Sequence, residues 1–308
     1  MSILYYIVSG TSIYAAFTAS LFLVGQKAPR ASFYARCLAS YGSLLVCAIY
    51  GVIASIVLRV VGYGRISQWA TARSFKWVMR LTTGVHFDII QGQEYLSTRP
   101  AVIIGNHQSE LDVLMLGTIF PPYCSVTAKK SLAYVPFLGW FMALSRTVFI
   151  DRANRETAVK AFDSAAEEMR VHRQSVFIFP EGTRSYSDKP ELLSFKKGAF
   201  HLAVKAGVPV LPVVVENYSH ILAPKKSVFE AGSIKVRGWY LFFYSRSLLL
   251  TGIVLPPIST EGLATEDVDN LTKTTRESML KNLLELSSAE PADLSGSTKG
   301  AKSTAVEI

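Results

Sequence analysis

Two registers of hydrophobicity divide the chain. Met1 to Val24 is apolar or small and polar without a charge, and Cys37 to Val61 repeats this apart from Arg59. Each run is long enough to cross a bilayer, which takes roughly 20 residues. The first lacks the basic flank of a cleaved leader, so it reads as a retained anchor. Beyond about residue 85 the pattern shortens: VHFDII, AVIIG, CSVTAK, TVFID, SVFIF and VPVLPVVV predict strands. Several are unbroken apolar runs of the kind buried on both faces. Between them Ser109 to Leu116, Asn154 to Val171 and Lys196 to Ala206 predict helices, the last closed by Gly207 and Pro209. Further strands are expected at SIKVRGW and around Thr251 to Leu255. The alternation predicts an α/β fold with a largely parallel central sheet flanked by helices, preceded by N-terminal membrane-embedded helices.

From Ile66 to Leu81 the chain interleaves Arg73, Lys76 and Arg80 with Trp69, Phe75, Trp77 and Val78. That pattern fits a helix lying in a membrane interface, and equally an ordinary amphipathic surface helix. From Ser287 the sequence is rich in Ser, Ala, Gly and Thr, a composition that predicts disorder. The expected organisation is an anchor of two hydrophobic helices over 1–62, a domain over 63–285 that includes the helix at 66–81, and a disordered tail over 286–308. No internal repeat is evident.

Half of the 308 residues are hydrophobic and only 18% are charged, which favours a membrane partner over a freely soluble life. The net charge of +9 suits anionic lipid or a phosphorylated substrate. No nucleic-acid module accompanies it, and the basic residues cluster beside apolar segments, so no nucleic-acid partner is expected. Cys37, Cys47 and Cys124 are too few and too irregular for a disulfide framework or a metal site, and no metal is expected. Topology stays open. Lys27, Arg30 and Arg36 lie between the two apolar runs, whereas Arg59, Arg65, Arg73, Lys76 and Arg80 follow the second. Two full spans would put these groups on opposite sides, against the preference of basic residues for the cytoplasm. One resolution is that the first run spans and the second only dips into a leaflet. The basic flank after Val61 predicts a cytosolic domain, with the sequons at Asn217 and Asn270 unglycosylated.

Candidate chemistry begins in IIGNHQSELDVLMLG, where His107 and Asp112 sit five positions apart. Five positions on a regular helix turn a side chain through about 500°, so the two meet only if His107 lies in the turn before the helix. With Ser109 as N-cap, Asp112 falls at the third helical position. Spacing alone leaves two readings: a catalytic pair, or a capping box whose carboxylate holds the helix start beside a turn histidine. Three further clusters lie where strands are expected to end, the edge at which open α/β sheets bind ligands. One is Glu181-Gly182-Thr183-Arg184, in which glycine admits close backbone approach and a guanidinium binds phosphate through paired hydrogen bonds. Its bland alternative is an Arg184 to Glu181 ion pair. The others are Lys129-Lys130 and Asp151-Arg152.

NHQSELD, TVFIDR, FPEGTRS and VPVLPVVV, in this order and at these separations, resemble the four motifs of the glycerolipid acyltransferases, and among these the 1-acyl-glycerol-3-phosphate acyltransferases. The likeness covers about residues 85–220. The N-terminal apolar runs look like those of fungal endoplasmic-reticulum members, which implies that membrane as the location. The resemblance implies transfer of a fatty acyl group from acyl-CoA, as co-substrate and without a cofactor, to the sn-2 hydroxyl of lysophosphatidic acid. Carried over by motif, His107 would be the general base and Asp112 would orient it. Arg184 would contact the acceptor phosphate, with Gly182 and Thr183 shaping the turn and Glu181 holding the arginine or the acceptor. Lys129 and Arg152 would add phosphate contacts, with Lys130 an alternative to Lys129. A nucleophile elbow G-x-S-x-G is absent, which fits direct attack by the substrate hydroxyl; an acyl-serine through Ser109 is the rival route. Glycerol-3-phosphate or another lysophospholipid is the alternative acceptor, and a non-catalytic lipid-binding protein the alternative class.

Overall fold

The architecture described is that of a computed structural model, covering residues 2–231 and 248–288. The strand expected at SIKVRGW lies outside the described residues, as does the tail beyond Ser288. Two long helices open the chain: α1, Ile3–Gly25, and α2, Pro29–Val60. Ser2 caps the first through its Oγ, and Pro29, whose missing N–H costs nothing at a helix start, begins the second. This start lies eight residues before the apolar run at Cys37, because hydropathy does not register the polar first turns with Arg30 and Arg36. Both helices are long and apolar enough to cross a membrane, judged by length and composition.

The two helices differ in what they touch. Along α1 only Thr18 is buried, whereas α2 buries a stripe of small residues that includes Ala35, Ser43, Cys47, Gly51 and Ala54. That stripe packs on α3, Ser67–Thr83, which ends at Gly84 in the left-handed region. Ser43 Oγ lies 2.8 Å from Thr82 Oγ1, and a Cβ on Gly51 would meet Phe141 at 2.6 Å and Thr71 at 2.9 Å. The helix α3 turns Phe75 and Met79 inward and leaves Trp77 and Leu81 exposed, with Lys76 and Arg80 stacked over Trp77.

The domain proper is a seven-stranded sheet. Its strands are β1 (Val85–Gln91), β2 (Val102–Gly105), β3 (Cys124–Lys129), β4 (Val148–Ile150), β5 (Ser175–Ile178) and β6 (Val210–Val215). A two-stranded ribbon follows, β7 (Leu222–Ala223) with β8 (Val228–Phe229), and β9 (Leu248–Val254) completes the sheet. The strand order is β1-β9-β6-β2-β5-β3-β4, and every pairing is parallel except β6 with β9. The successive strands from β2 to β6 are joined through α4 (Asp112–Ile119), α5 (Leu138–Leu144), α6 (Arg155–His172) and α7 (Gly198–Ala206). The last helix, α8, runs Val268–Ser288, past residue 286 where the tail was expected to begin.

Period-two alternation sorts the strand residues into two cores. Ile103 joins Met79, Leu114 and Phe177 under α3 and α4, while Val102 and Ile104 join Met169, Phe200 and Met279 under α6, α7 and α8. Because β2, β3, β4, β5 and β6 run the same way, the loops that leave them emerge along one edge. Cα register makes this quantitative: Ile104 pairs with Ile178, Val126 with Phe177 and Lys129 with Ile150. His107, Glu181, Lys129 and Arg152 therefore all sit within a few residues of that edge.

Candidate functional site

Each strand end places one part of the site. Asn106, the first residue after β2, exchanges two hydrogen bonds of 2.9 Å with the Val215 backbone at the end of β6. Gln108 donates to the carbonyls of Val215 and Glu216. Position 107, between them, projects the other way, and its ring stacks on Phe179 with centroids 4.0 Å apart and planes 14° from parallel. Two residues of one turn thus fasten the loop while the third faces the ligand edge.

The helix starts at Asp112, two residues later than the Ser109 N-cap predicts. Ser109 does not cap Asp112; its buried Oγ accepts from the Leu111 N–H and pairs with the Tyr218 hydroxyl. The carboxylate of Asp112 supplies the reason for the late start. Its Oδ2 accepts from the backbone N–H groups of Gln108 (2.6 Å) and Ser109 (3.1 Å), holding 107–110 as a turn. That turn brings His107 Nδ1 to 2.6 Å from the same oxygen. The capping and pairing readings of the spacing are one arrangement, because the carboxylate serves backbone and imidazole together. A carboxylate only accepts, so Nδ1 is the donor, and in the neutral imidazole this leaves the lone pair on Nε2. The Asp112 side chain is 0% exposed and that of His107 15% exposed, which leaves one edge of the ring reachable.

The Glu181–Arg184 loop lies against this turn. Ser185 and Tyr186 donate their N–H groups to the carbonyls of His107 and Gln108. Gly182 takes a φ of 70°, a conformation only glycine adopts without strain. Glu181 departs from its expected roles: it is buried, and it holds neither the arginine nor a free face for the acceptor. Its Oε1 accepts from the His107 N–H at 2.7 Å and its Oε2 from the Leu193 N–H at 2.9 Å. Burial raises its carboxyl above the ordinary value, opposed by those two backbone bonds. Arg184 instead pairs with Glu110 at 3.0 Å and meets the Tyr186 hydroxyl at 3.2 Å. Burial lowers the guanidinium pKa, but Tyr186 and Glu110 outweigh it and the net shift is upward.

The remaining expected residues lie farther along the edge. Thr183 is exposed on the loop tip. Lys129 is exposed two strands from β2, roughly 10 Å away at the usual strand spacing. Lys130 is engaged with Asp151 at 3.2 Å, and Arg152 is exposed next to that pair. Among the described residues no three His, Cys, Asp or Glu side chains gather as a metal site requires. Glu110, Phe179 and Tyr218 went unforeseen. Glu110 and Tyr218 touch the site across 74 and 106 positions of sequence, a distance no local spacing signals.

Comparison with known proteins follows the same outline. A family model described as "Acyltransferase" matches residues 89–216. The 1-acyl-sn-glycerol-3-phosphate acyltransferase of Saccharomyces cerevisiae is 43% identical over 254 residues, 82% of this chain and 78% of that protein. The human 1-acyl-sn-glycerol-3-phosphate acyltransferase beta is 34% identical over 87% of this chain and 89% of its own. Among solved structures, the 1-acyl-sn-glycerophosphate acyltransferase PlsC of Thermotoga maritima superposes with a TM-score of 0.60. At 23% identity, with 85% of this chain and 95% of that one covered, the match speaks to the fold.

Proposed function

Because this chain belongs to the 1-acyl-sn-glycerol-3-phosphate acyltransferase family, we propose that it acylates lysophosphatidic acid at the sn-2 hydroxyl, using acyl-CoA, to give phosphatidic acid and free CoA. The observation that carries this reading is the His107–Asp112 pair, with Nδ1 committed to a buried carboxylate and Nε2 without a hydrogen-bond partner among the described residues. Nε2 removes the hydroxyl proton as the substrate oxygen attacks the thioester carbonyl. The C–S bond then breaks, and the imidazolium returns the proton to the CoA thiolate. Asp112 stabilises the imidazolium between the two transfers. No enzyme nucleophile is needed, and the Ser109 hydroxyl is poorly placed to be one: it is buried and already holds Leu111 and Tyr218.

Arg184 is the acceptor-phosphate contact in this reading. In the structure its partner is the carboxylate of Glu110, which the phosphate would displace. Lys129 and Arg152 stand farther along the same edge, where they would meet the phosphates of the donor or a second oxygen of the acceptor. Gly182 lets the loop turn, and Glu181 acts on the ligand only through the backbone of His107.

The helix pair would hold this edge at a membrane, the endoplasmic reticulum being the expected one, with the domain in the cytosol. Arg36 donates to the carbonyls of Thr83 and Phe229, and Arg59 to that of Leu144. The helix between these anchor points is about 35 Å long at 1.5 Å per residue, more than the roughly 30 Å of a hydrocarbon core. A helix bound to the domain over that length cannot cross the bilayer without taking the domain with it. The hairpin is therefore embedded from one side, with α1 the deeper member.

The test is acyl-CoA consumption by the purified protein with lysophosphatidic acid, glycerol-3-phosphate and a lysophospholipid of larger head group as parallel acceptors. His107→Ala should lower turnover by about 10²- to 10⁴-fold, the usual worth of a general base, with membrane association unchanged. Turnover within a few-fold of wild type in that variant would remove the proposed base.

A further inference from the structure

We propose that Tyr218 is a positioning residue for the His107–Asp112 pair, holding the carboxylate by the oxygen that the imidazole does not use. The proposal rests on the reading of His107 as general base. Tyr218 follows β6 by three positions and is 1% exposed. Its ring meets Phe87 edge to face at 6.1 Å, and its N–H donates to Gln108 Oε1 at 3.3 Å. The side chain is thus fixed at its ring and at its backbone.

The hydroxyl lies 2.5 Å from Asp112 Oδ1 and 3.0 Å from Ser109 Oγ. The direction of these bonds follows from what each group can do. The carboxylate only accepts, so Tyr218 donates to it. The Tyr218 oxygen then accepts from the Ser109 hydroxyl, whose own oxygen accepts from the Leu111 N–H. A one-way series results: Leu111 to Ser109, Ser109 to Tyr218, Tyr218 to Asp112. Burial and the neighbouring carboxylate hold the phenol far above its usual range, so the donated proton stays on tyrosine.

A phenylalanine would fill the same volume, so packing does not explain the hydroxyl. The second carboxylate oxygen does. Asp112 Oδ2 receives His107, Gln108 and Ser109, whereas among the described residues Oδ1 receives Tyr218 alone. Without that donor a fully buried carboxylate oxygen would be unsatisfied, and rotation of the group towards other donors would misplace the oxygen that faces the imidazole. Tyr218 therefore acts on the base through Asp112 and touches no substrate.

The experiment is a double-mutant cycle on the full-length enzyme, with kcat and KM measured for both substrates. Tyr218→Phe should lower kcat roughly ten-fold, the scale of one hydrogen bond to a charged group, and leave both KM values unchanged. Added to Asp112→Asn, it should cause no further loss, because its route to the base is already cut. A wild-type kcat for Tyr218→Phe, or losses that multiply in the double variant, would overturn the proposal; a purely structural residue gives the multiplied result. If Tyr218→Phe fails to fold, 3-fluorotyrosine at position 218 keeps ring and hydroxyl while strengthening the donor. An altered kcat at unchanged unfolding temperature is expected there, and an unaltered one counts against the role. The His107→Ala control separates the two readings. Retained turnover in it removes the general base itself, whereas an essential His107 with a silent Tyr218→Phe removes only the positioning role.

Discussion

At the scale of single residues, the Arg184–Glu110 contact gives the sharpest expectation. Both side chains are more than a third exposed, so the pair is worth about 0–1 kcal/mol and a doubly charged phosphate on Arg184, as proposed, would displace it. Glu110→Gln should therefore lower the KM for lysophosphatidic acid by up to about five-fold, with kcat unchanged. Arg184→Lys should raise it, since an ammonium does not reproduce paired guanidinium bonds. Equal KM values in all three proteins would take the phosphate role from Arg184. Glu181 offers a test by pH. Burial raises its carboxyl, so the folded state holds that proton more tightly than the unfolded chain, where the value is about 4.3. Its contribution to stability is then full below that value and is lost as pH rises through the higher folded one. Glu181→Gln removes this dependence, so the variant should gain on wild type in unfolding temperature as pH rises above about 4.3. Its kcat should fall, because an amide oxygen serves only one of the two backbone donors. Parallel stability profiles would mean that the carboxyl is not raised. Legibility at this scale follows sequence distance. The spacing of His107 and Asp112 allowed their pairing without deciding it against a capping box, because the turn that joins them is local. The partner of Arg184 could not, since it comes from another loop, and the nearer Glu181 was the natural but mistaken choice.

At the scale of elements, hydropathy and turn residues located the strands to within two or three positions, and the misses have physical causes. The helix at Asp112 starts late because a side chain competes successfully for the N–H groups of Gln108 and Ser109. The helix α2 starts early because Pro29 and two arginines belong to it without being apolar. The amphipathic pattern at 66–81 forms one helix, α3, with a packed and an exposed face. One face packs against α2 and α4, while Trp77 and Leu81 remain exposed beside Lys76 and Arg80. Close approach is what joins these helices. A Cβ on Gly117 would lie 2.6 Å from the Ala72 carbonyl oxygen, and one on Gly51 would overlap Phe141 and Thr71. Gly51→Leu should then force α2 away from α3 and α5 at a cost of about 1–3 kcal/mol, read as a lower unfolding temperature in detergent. An unchanged unfolding temperature would show that α2 is not held by this seam.

At the scale of the whole molecule, the question is why a soluble-looking α/β domain carries two apolar helices. Moving an acyl chain from bilayer to water costs about 0.8 kcal/mol per methylene, on the order of 10 kcal/mol for a long chain. A site that meets the lipid at the membrane surface avoids most of that cost. The two helices contribute differently, because α2 is part of the domain's packing whereas the helix contacts of α1 are with α2, including the Tyr14 hydroxyl on the Leu38 carbonyl. Removing residues 1–28 should therefore leave cooperative unfolding of the remainder intact while weakening its retention on vesicles. The kinetic consequence depends on the substrate. With a short-chain, monomeric lysophosphatidic acid and acyl-CoA, the truncated protein should keep its kcat/KM, since neither substrate has to leave a bilayer. With long-chain substrates held in vesicles its kcat/KM should fall, and more steeply with each added methylene. An equal loss for short and long chains would mean that α1 supports the site itself rather than its access to lipid. The one-sided hairpin would then have to be replaced by an arrangement in which α1 completes the domain.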